Sequence, residues 1–183
     1  MYYKLLLVGV ESFIDYSKII GNNFLLCQGP GGNTSLKEEG YIYIKKSGKF
    51  LSNSNIDTFK KINYFEIENY YTHNKDKAVK FDNELSIEAP LHVFLKSKYV
   101  FHYHSISSII ISAINESTNL DNLLINNKII PIKYIRPGID LAREISLEKQ
   151  KHNLDAYFLY NHGIVVEGNN KSKIMKRVRD IES

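Results

Sequence analysis

The run "YVFHYHSISSIII", residues 99–111, constrains the fold more than any other part of this chain. Its first five residues, Tyr99–Tyr103, have the aromatic and β-branched content of a buried strand, and the segment after them is predicted to be a helix. Side chains two residues apart in a strand point to the same face, so His102 and His104 should lie side by side while Tyr103 turns away. Two neutral imidazoles at this spacing can bind one divalent cation, whereas the alternative is two core histidines bonded to backbone carbonyls.

Strand and helix patterns alternate along the 183-residue chain. The spacing of apolar residues predicts helices over Leu5–Ile20, "ELSIEAPLHVFLKS", "SISSIIISAINES", "GIDLAREISLEKQ" and the C-terminal tail. Strands are predicted in "GYIYIKKSG", "INYFEIEN", Tyr99–Tyr103, "KIIPIKYI", "DAYFLY" and "GIVVEG". Since no repeat or low-complexity linker divides these segments, we expect one domain over residues 1–183 with a three-layer α/β architecture.

Composition narrows the kind of partner. The net charge is +4 and the lysines are scattered among acidic residues, without the basic stripe of a nucleic-acid surface, so the expected partner is a small anionic molecule. The single cysteine, Cys27, cannot form a disulfide within the chain and fits a reducing compartment. The apolar run near the N-terminus is too short for a membrane span or a signal peptide, so we expect a cytoplasmic protein that binds no membrane.

Two further motifs could complete a metal site. In "YNHGIVVEG", His162 lies at a strand boundary beside a glycine, and a third histidine would complete the three-ligand set of a catalytic zinc. In "SIEAPLH", Glu88 precedes His92 by four residues, so both lie on one helical face, and a carboxylate near a metal can act as a general acid or base. The alternatives are a surface carboxylate for Glu88 and a helix-packing role for His92.

The glycine-rich segment "QGPGGNTS" offers successive backbone N–H groups with little side-chain obstruction. Such a nest can bind phosphate or carboxylate oxygens, although a simple turn would have the same composition. The segment has neither the lysine of a Walker loop nor the spacing of a dinucleotide fingerprint, so a nucleotide-binding protein is not indicated.

Taken in order, these motifs resemble those of the class II aldolase/adducin family. The segments that carry the resemblance are "GGNTS", "KKSG", "SIEAPLH", "HYHS", "RPGIDLA" and "NHG", which together span most of the chain. The resemblance implies a three-layer α/β/α domain around a mostly antiparallel central sheet, and assembly as a homotetramer.

The resemblance also implies a role for particular residues. The metal ligands would be His102, His104 and His162, holding Zn²⁺ or another divalent ion, and Glu88 would be the catalytic acid or base. The residues implied to bind the substrate and its phosphate are Gly31, Gly32, Asn33, Thr34, Lys46, Ser47, Gly48 and Ser86. His92 matches a helix position outside the metal set.

The implied activity is that of a metal-dependent lyase. The expected reaction is an aldolase cleavage of a phosphorylated keto-sugar through a metal-stabilised enediolate, so the partner would be a small phosphorylated sugar or sugar acid. A sugar-phosphate 4-epimerase and a sugar-acid phosphate decarboxylase use the same chemistry and remain alternatives. A non-catalytic, adducin-like assembly module is an alternative of another class.

The chain departs from the family pattern at three places. Ser86 is followed by Ile87 where the aldolases usually have a second serine, and Lys45-Lys46 stands where relatives commonly show Thr-Pro. The third departure is that no residue matches the family's tail tyrosine, which donates a proton. Candidates to replace it are Tyr103, Tyr134 and Tyr160.

Overall fold

A computed structural model of the chain describes residues 2–74, 80–114 and 118–183. The helices of this described part are α1 Tyr2–Gly21, α2 Tyr64–His73, α3 Ala89–Phe94, α4 Ile106–Ile114, α5 Thr118–Asn126, α6 Ile139–His152 and α7 Lys171–Glu182. The strands are β1 Asn33–Glu38, β2 Tyr41–Lys45, β3 Phe59–Asn63, β4 Tyr99–Tyr103, β5 Ile130–Ile132, β6 Ala156–Leu159 and β7 Gly163–Gly168. Within these residues, no helix combines the length and the apolar character needed to cross a bilayer.

The strands form one seven-stranded sheet in the order β3-β2-β1-β4-β7-β6-β5. Neighbouring strands are antiparallel except for the pair of β5 and β6, which is parallel. The mostly antiparallel sheet that the family resemblance implies is therefore confirmed. β4 lies at the centre, between β1 and β7, and all five of its residues are buried.

Helices cover both faces of this sheet, as predicted for a three-layer α/β domain. Along β4 the side chains alternate between the two faces, because the period of a strand is two residues. Phe101 packs in the core on the side of α1 and α7, with Phe13 and Val178. Val100 packs on the opposite side with residues such as Leu141 from α6. Both faces of the central strand are thus sealed from water.

Several predicted elements differ from the observed ones. The segment "INYFEIEN" is not a strand throughout, because β3 ends at Asn63 and α2 starts at the next residue. The Asn63 side chain accepts hydrogen bonds from the backbone N–H groups of Phe65 and Glu66, which caps the new helix. The predicted helix "ELSIEAPLHVFLKS" is reduced to the short α3. The helix predicted over "SISSIIISAINES" is α4 as far as Ile114, and residues 115–117 lie outside the described part.

Two elements were not predicted. β1 starts inside the glycine-rich motif, where polar residues such as Asn33 and Ser35 hide the strand pattern although both are buried. α5 follows α4 closely and lies beyond the segment for which a helix was predicted. The strand in "KIIPIKYI" is confined to its three residues Ile130–Ile132.

Candidate metal centre

Three histidines and one glutamate meet at the end of the central strand. His102 is on β4, His104 follows directly after it, and His162 lies in the turn between β6 and β7. The antiparallel register of β4 and β7 pairs His102 with Val165, which brings the turn that carries His162 next to the end of β4. Glu88 immediately precedes α3. One ligand atom from each of these four residues lies within 4.8 Å of the others.

The imidazole nitrogens face one another. Nε2 of His102 lies 3.1 Å from Nε2 of His104, and Oε1 of Glu88 lies 2.8 Å from Nε2 of His162 and 3.3 Å from Nε2 of His102. Nδ1 of His102 donates to the backbone carbonyl of Ile164 at 3.0 Å. That hydrogen bond fixes the ring, so that its other nitrogen faces the cluster, as is typical of a histidine that binds a metal.

The electrostatics of the cluster favour an ionised carboxylate. Burial alone would raise the pKa of the Glu88 carboxyl, but the imidazoles of His102 and His162 hold it well below its usual range. Burial would lower the pKa of His102, but the Glu88 carboxylate and the Ile164 carbonyl raise it. Burial and the proximity of His102 lower the pKa of His104 to about 4, so this imidazole is neutral near pH 7 and its lone pair is available.

The donor set fits a divalent transition-metal ion. Three imidazole nitrogens are a common protein ligand set for catalytic zinc, and a carboxylate oxygen at the edge can complete or leave the coordination. All four groups offer a ligand atom to the same small region, within 4.8 Å of one another. The arrangement could therefore bind a metal.

Glycines allow the surrounding backbone to approach the cluster. A Cβ atom on Gly31 would lie 2.9 Å from Nδ1 of His104 and 2.9 Å from the carbonyl oxygen of Gln28, closer than packed atoms tolerate. Gly163 has φ of +152°, and a Cβ atom there would lie 2.3 Å from the carbonyl oxygen of Tyr103. Because both positions exclude a side chain, the glycine-rich loop and the start of β7 can pack directly against the end of β4.

A buried chain of polar side chains leads away from Glu88. Oε2 of Glu88 accepts a hydrogen bond of 2.7 Å from Nδ2 of Asn33, and Oδ1 of Asn33 contacts Nε2 of His92. Nδ1 of His92 lies 2.8 Å from the hydroxyl of Ser35. The family resemblance assigns His92 no part in the site. The spacing of four residues between Glu88 and His92 was the available signal, and the structure places both on the side of α3 that faces β1.

The segments predicted to bind an anion come together beside Glu88. The ammonium group of Lys45 donates to the carbonyl of Pro30 at 3.0 Å and to that of Lys49 at 2.6 Å, so it ties the glycine-rich loop to residues 46–49. The backbone N–H of Ser47 donates to the carbonyl of Glu84 at 2.7 Å. These contacts join the two loops and the segment that leads to Glu88.

Other members of the predicted anion site lie in the same region. Ser86 accepts a hydrogen bond of 3.2 Å at its hydroxyl from the backbone N–H of Glu88. Ser47 and Gly48 are exposed, whereas Gly32 is buried. The ammonium of Lys46 forms an ion pair of 3.1 Å with Glu84, so this lysine already has an acidic partner.

Thr34 does not join this group. It follows Asn33 on β1, so its side chain points to the other face of the sheet. Its hydroxyl lies 2.8 Å from that of Ser17 on α1, and both residues are completely buried. The amide of Asn33 is also engaged by Glu88 and His92. The predicted substrate contacts of Thr34 therefore have no support from its position.

The three tyrosines considered as proton donors lie in different surroundings. Tyr103 is completely buried in the core on the side of α1 and α7. The hydroxyl of Tyr160 donates to Asp121 at 2.7 Å, on α5. Tyr134 is 60% exposed. No contact in the described residues joins any of the three hydroxyls to the cluster of Glu88 and the histidines.

The chain belongs to the class II aldolase family, because its residues 12–183 match the Class II Aldolase and Adducin N-terminal domain. It is similar to the N-terminal class II aldolase domain of a conserved protein from Thermoplasma acidophilum, with a TM-score of 0.78, 23% sequence identity and coverage of 93% of this chain and 92% of that one. It is also similar to L-fuculose-1-phosphate aldolase from Thermus thermophilus, with a TM-score of 0.64, 12% identity and coverage of 93% and 88%. At these identities the two structures establish a shared fold.

One curated relative is similar in sequence. It is the uncharacterized oxidoreductase YuxG of Bacillus subtilis strain 168, which is 26% identical over an alignment of 183 residues. The match covers 87% of this chain but 26% of that protein. The chain thus spans about a quarter of the length of this relative.

Proposed function

We propose that this chain is a metal-dependent lyase, an aldolase that cleaves a phosphorylated keto-sugar into dihydroxyacetone phosphate and an aldehyde. The observation that carries the proposal is the convergence of one ligand atom from each of Glu88, His102, His104 and His162 within 4.8 Å. An adducin-like module that serves only assembly has no physical need for three converging imidazoles and a carboxylate. The complete set therefore favours catalysis over assembly.

The proposed metal is zinc, held by the three histidines. When bound, the ion supplies Lewis-acid stabilisation of the negative charge that develops on the substrate oxygens during C–C cleavage. His102 is held for this task by the carbonyl of Ile164, which orients its Nε2 toward the other ligands. Manganese and cobalt accept similar ligands, so metal analysis of the purified protein is needed to identify the bound ion.

Glu88 is proposed to move the proton. Its Oε1 lies beside His162 and His102, where a carboxylate can accept a proton from a carbon or hydroxyl group adjacent to the substrate carbonyl. Oε2 is held by the amide of Asn33, while Oε1 faces the histidines. The carboxylate therefore reaches the edge of the metal centre in one defined orientation, which lowers the cost of aligning it with the reacting atoms.

The anionic end of the substrate is proposed to bind at the joined loops. The candidate contacts are the backbone N–H groups of Gly32 and Gly48 and the hydroxyls of Ser47 and Ser86, with Lys46 at the rim. The N–H of Gly31 already donates to the carbonyl of Gln28 at 3.1 Å. The buried ammonium of Lys45 adds positive charge beneath this surface. Binding energy from this unreactive end would orient the reacting end at the metal centre.

The proposed assembly is a homotetramer in the cytoplasm. Three isoleucines on α4, Ile110, Ile111 and Ile114, are exposed, and α4 begins shortly after His104. A contact between subunits at this helix would cover apolar surface close to the site. Light scattering on the purified protein tests the number of subunits.

A substrate panel tests the proposed reaction. Purified protein is loaded with zinc, cobalt or manganese and incubated with ketose phosphates and with sugar-acid phosphates. Coupled detection of dihydroxyacetone phosphate reports cleavage, mass spectrometry reports loss of carbon dioxide, and NMR reports epimerised product. Cleavage that requires metal and is absent from His104→Ala supports the aldolase. Metal-dependent epimerisation or decarboxylation without cleavage would replace the aldolase with that reaction.

Deuterium exchange on dihydroxyacetone phosphate tests the chemistry without knowledge of the aldehyde. In D₂O, a metal-loaded aldolase should exchange a proton on the carbon next to the carbonyl of this compound. Absence of exchange in fully loaded protein, together with no turnover in the panel, would overturn the proposed function.

A further inference from the structure

A buried series of hydrogen bonds runs from Glu88 through Asn33 and His92 to Ser35, and its donors and acceptors can be assigned in turn. Nδ2 of Asn33 donates to Oε2 of Glu88 at 2.7 Å, so Asn33 presents its NH₂ group to the carboxylate. The amide oxygen of Asn33 then faces Nε2 of His92, which must carry a proton to donate. A neutral imidazole has one N–H, so Nδ1 of His92 accepts a hydrogen bond from the hydroxyl of Ser35.

The surroundings of His92 agree with a neutral ring. The side chain extends from α3 to β1 and is completely buried, and burial, with the positive charges of Lys37 and His102, holds its pKa well below the usual range. Asn33 and Ser35 lie on one face of β1 because they are two residues apart. Since His92 contacts both, the helix that starts after Glu88 is bonded to the strand beside His102 at two points.

We propose that His92 is a positioning residue for Glu88. Its Nε2–H holds the oxygen of the Asn33 amide, so that the amide nitrogen can only point at Oε2 of Glu88 and Oε1 is left facing His102 and His162. Without this donor, the Asn33 side chain keeps only its bond to Glu88, so it is free to rotate away and no longer fixes Oε2 in place. The orientation of Glu88 at the metal centre would then be lost, although the metal ligands themselves are intact.

The alternative is that His92 only fills space between α3 and β1. Three variants separate the two roles. His92→Leu keeps a buried side chain of similar size but has no donor, whereas His92→Gln keeps an amide N–H that can reach Asn33. Ser35→Ala removes the donor to Nδ1 while the packing of His92 is unchanged.

The proton assignment is tested first, in metal-free wild-type protein. NMR of protein labelled with ¹⁵N in histidine distinguishes the two neutral tautomers, and assignment of the His92 resonances uses their absence from His92→Gln. We expect a proton on Nε2 and a bare Nδ1. In Ser35→Ala, the Nδ1 resonance of His92 should shift because its hydrogen bond is lost. A proton on Nδ1 in the wild type would overturn the inference, and this test needs no activity and no variant that folds poorly.

The positioning role is tested with cobalt and with deuterium exchange. His92→Leu should bind Co²⁺ through the three histidines, but its visible absorption spectrum should differ from that of the wild type because the Glu88 carboxylate is no longer held. In His92→Leu, the rate of deuterium exchange on dihydroxyacetone phosphate should fall by about 10–100-fold, as is typical for loss of a residue that orients a group at a metal centre. In His92→Gln, the exchange rate should be close to that of the wild type.

The outcomes separate this inference from the proposed function on which it rests. If the wild type shows neither exchange nor turnover in the substrate panel, the proposed aldolase chemistry fails, while the tautomer and the cobalt spectrum still decide the role of His92. A cobalt spectrum and an exchange rate in His92→Leu equal to those of the wild type would leave His92 as packing alone. Equal losses in His92→Leu and His92→Gln, with unchanged unfolding midpoints, would also overturn the role of the N–H donor.

Discussion

Oε1 of Glu88 lies 2.8 Å from Nε2 of His162, so a residue that precedes α3 meets one from the turn between β6 and β7. The two are far apart in sequence, and the central position of β4 brings them together. β1 packs on one side of β4 and carries Asn33, which holds Glu88. β7 packs on the other side and begins directly after His162.

The first prediction is that His104→Ala loses the metal. Wild-type protein should hold about one divalent ion per chain, as three histidine ligands are enough for a catalytic zinc. Removal of one ligand should weaken binding by at least about tenfold. Metal analysis after dialysis gives the stoichiometry, and calorimetric titration with zinc gives the affinity.

The matched control for this prediction is His73→Ala. His73 is exposed on α2 and lies outside the cluster, so its loss should leave zinc binding unchanged. Equal zinc affinity in His104→Ala and wild-type protein would refute the metal centre.

The second prediction is that Glu88→Gln separates metal binding from proton transfer. Glutamine has the shape of glutamate and can still accept the hydrogen bond from Asn33, so the fold and the histidine ligands should persist. It cannot act as a base near pH 7, and deuterium exchange on dihydroxyacetone phosphate should fall by about 10²–10⁴-fold. Glu66→Gln, an exposed change in the first turn of α2, is the control. Wild-type exchange in Glu88→Gln would remove this residue from the acid–base role.

The local part of the site could be predicted from the sequence. β4 and β7 have the bounds that their apolar patterns predict, because segments rich in β-branched and aromatic residues favour a buried strand over other local structures. The two-residue period of β4 was enough to place His102 and His104 side by side, and the structure brings their Nε2 atoms to 3.1 Å.

The contacts between distant segments could not be predicted in this way. Nothing in the sequence around Asn33 indicates that its amide meets Glu88 and His92, because that contact depends on α3 packing over β1. β1 itself was missed, since its buried polar residues interrupt the apolar alternation that identifies a strand. Asn63 likewise changes a predicted strand into a helix start through a capping contact that periodicity does not reveal.

The third prediction concerns the glycine-rich loop. Gly31→Ala should weaken zinc binding by about 10-fold or more, because the new methyl group would lie 2.9 Å from Nδ1 of His104 and push the ring or the loop aside. Gly29→Ala is the matched control in the same loop, since no atom lies within 4 Å of its Cβ position. Gly29 has φ of +57°, so its substitution strains the backbone without touching His104. Calorimetric titration should therefore show a greater loss of zinc affinity for Gly31→Ala, and the reverse order would contradict the close packing of this loop against His104.

The last prediction is that Lys45→Met destabilises the loops proposed to bind the anion. The side chain of Lys45 is buried, and its ammonium group is the hydrogen-bond donor to the carbonyls of Pro30 and Lys49. Methionine can fill the space but leaves these carbonyls without their donor, so the free energy of unfolding should fall by about 1–3 kcal/mol. The two loops should also separate, which predicts a higher KM for a phosphorylated substrate. Lys49→Met is the control, because the side chain of Lys49 is exposed while its carbonyl is retained.

Urea unfolding and steady-state kinetics together decide what Lys45 does. A lower midpoint with a higher KM in Lys45→Met, and neither change in Lys49→Met, would identify Lys45 as the residue that joins the two loops. A higher KM at an unchanged midpoint would instead indicate that the charge of Lys45 matters. A positive charge beneath the loops attracts an anion even if its hydrogen bonds to the carbonyls do not hold the loops together. Wild-type values of both quantities would show that the loops keep their positions without Lys45, and the anion site would then have to be sought elsewhere around Glu88.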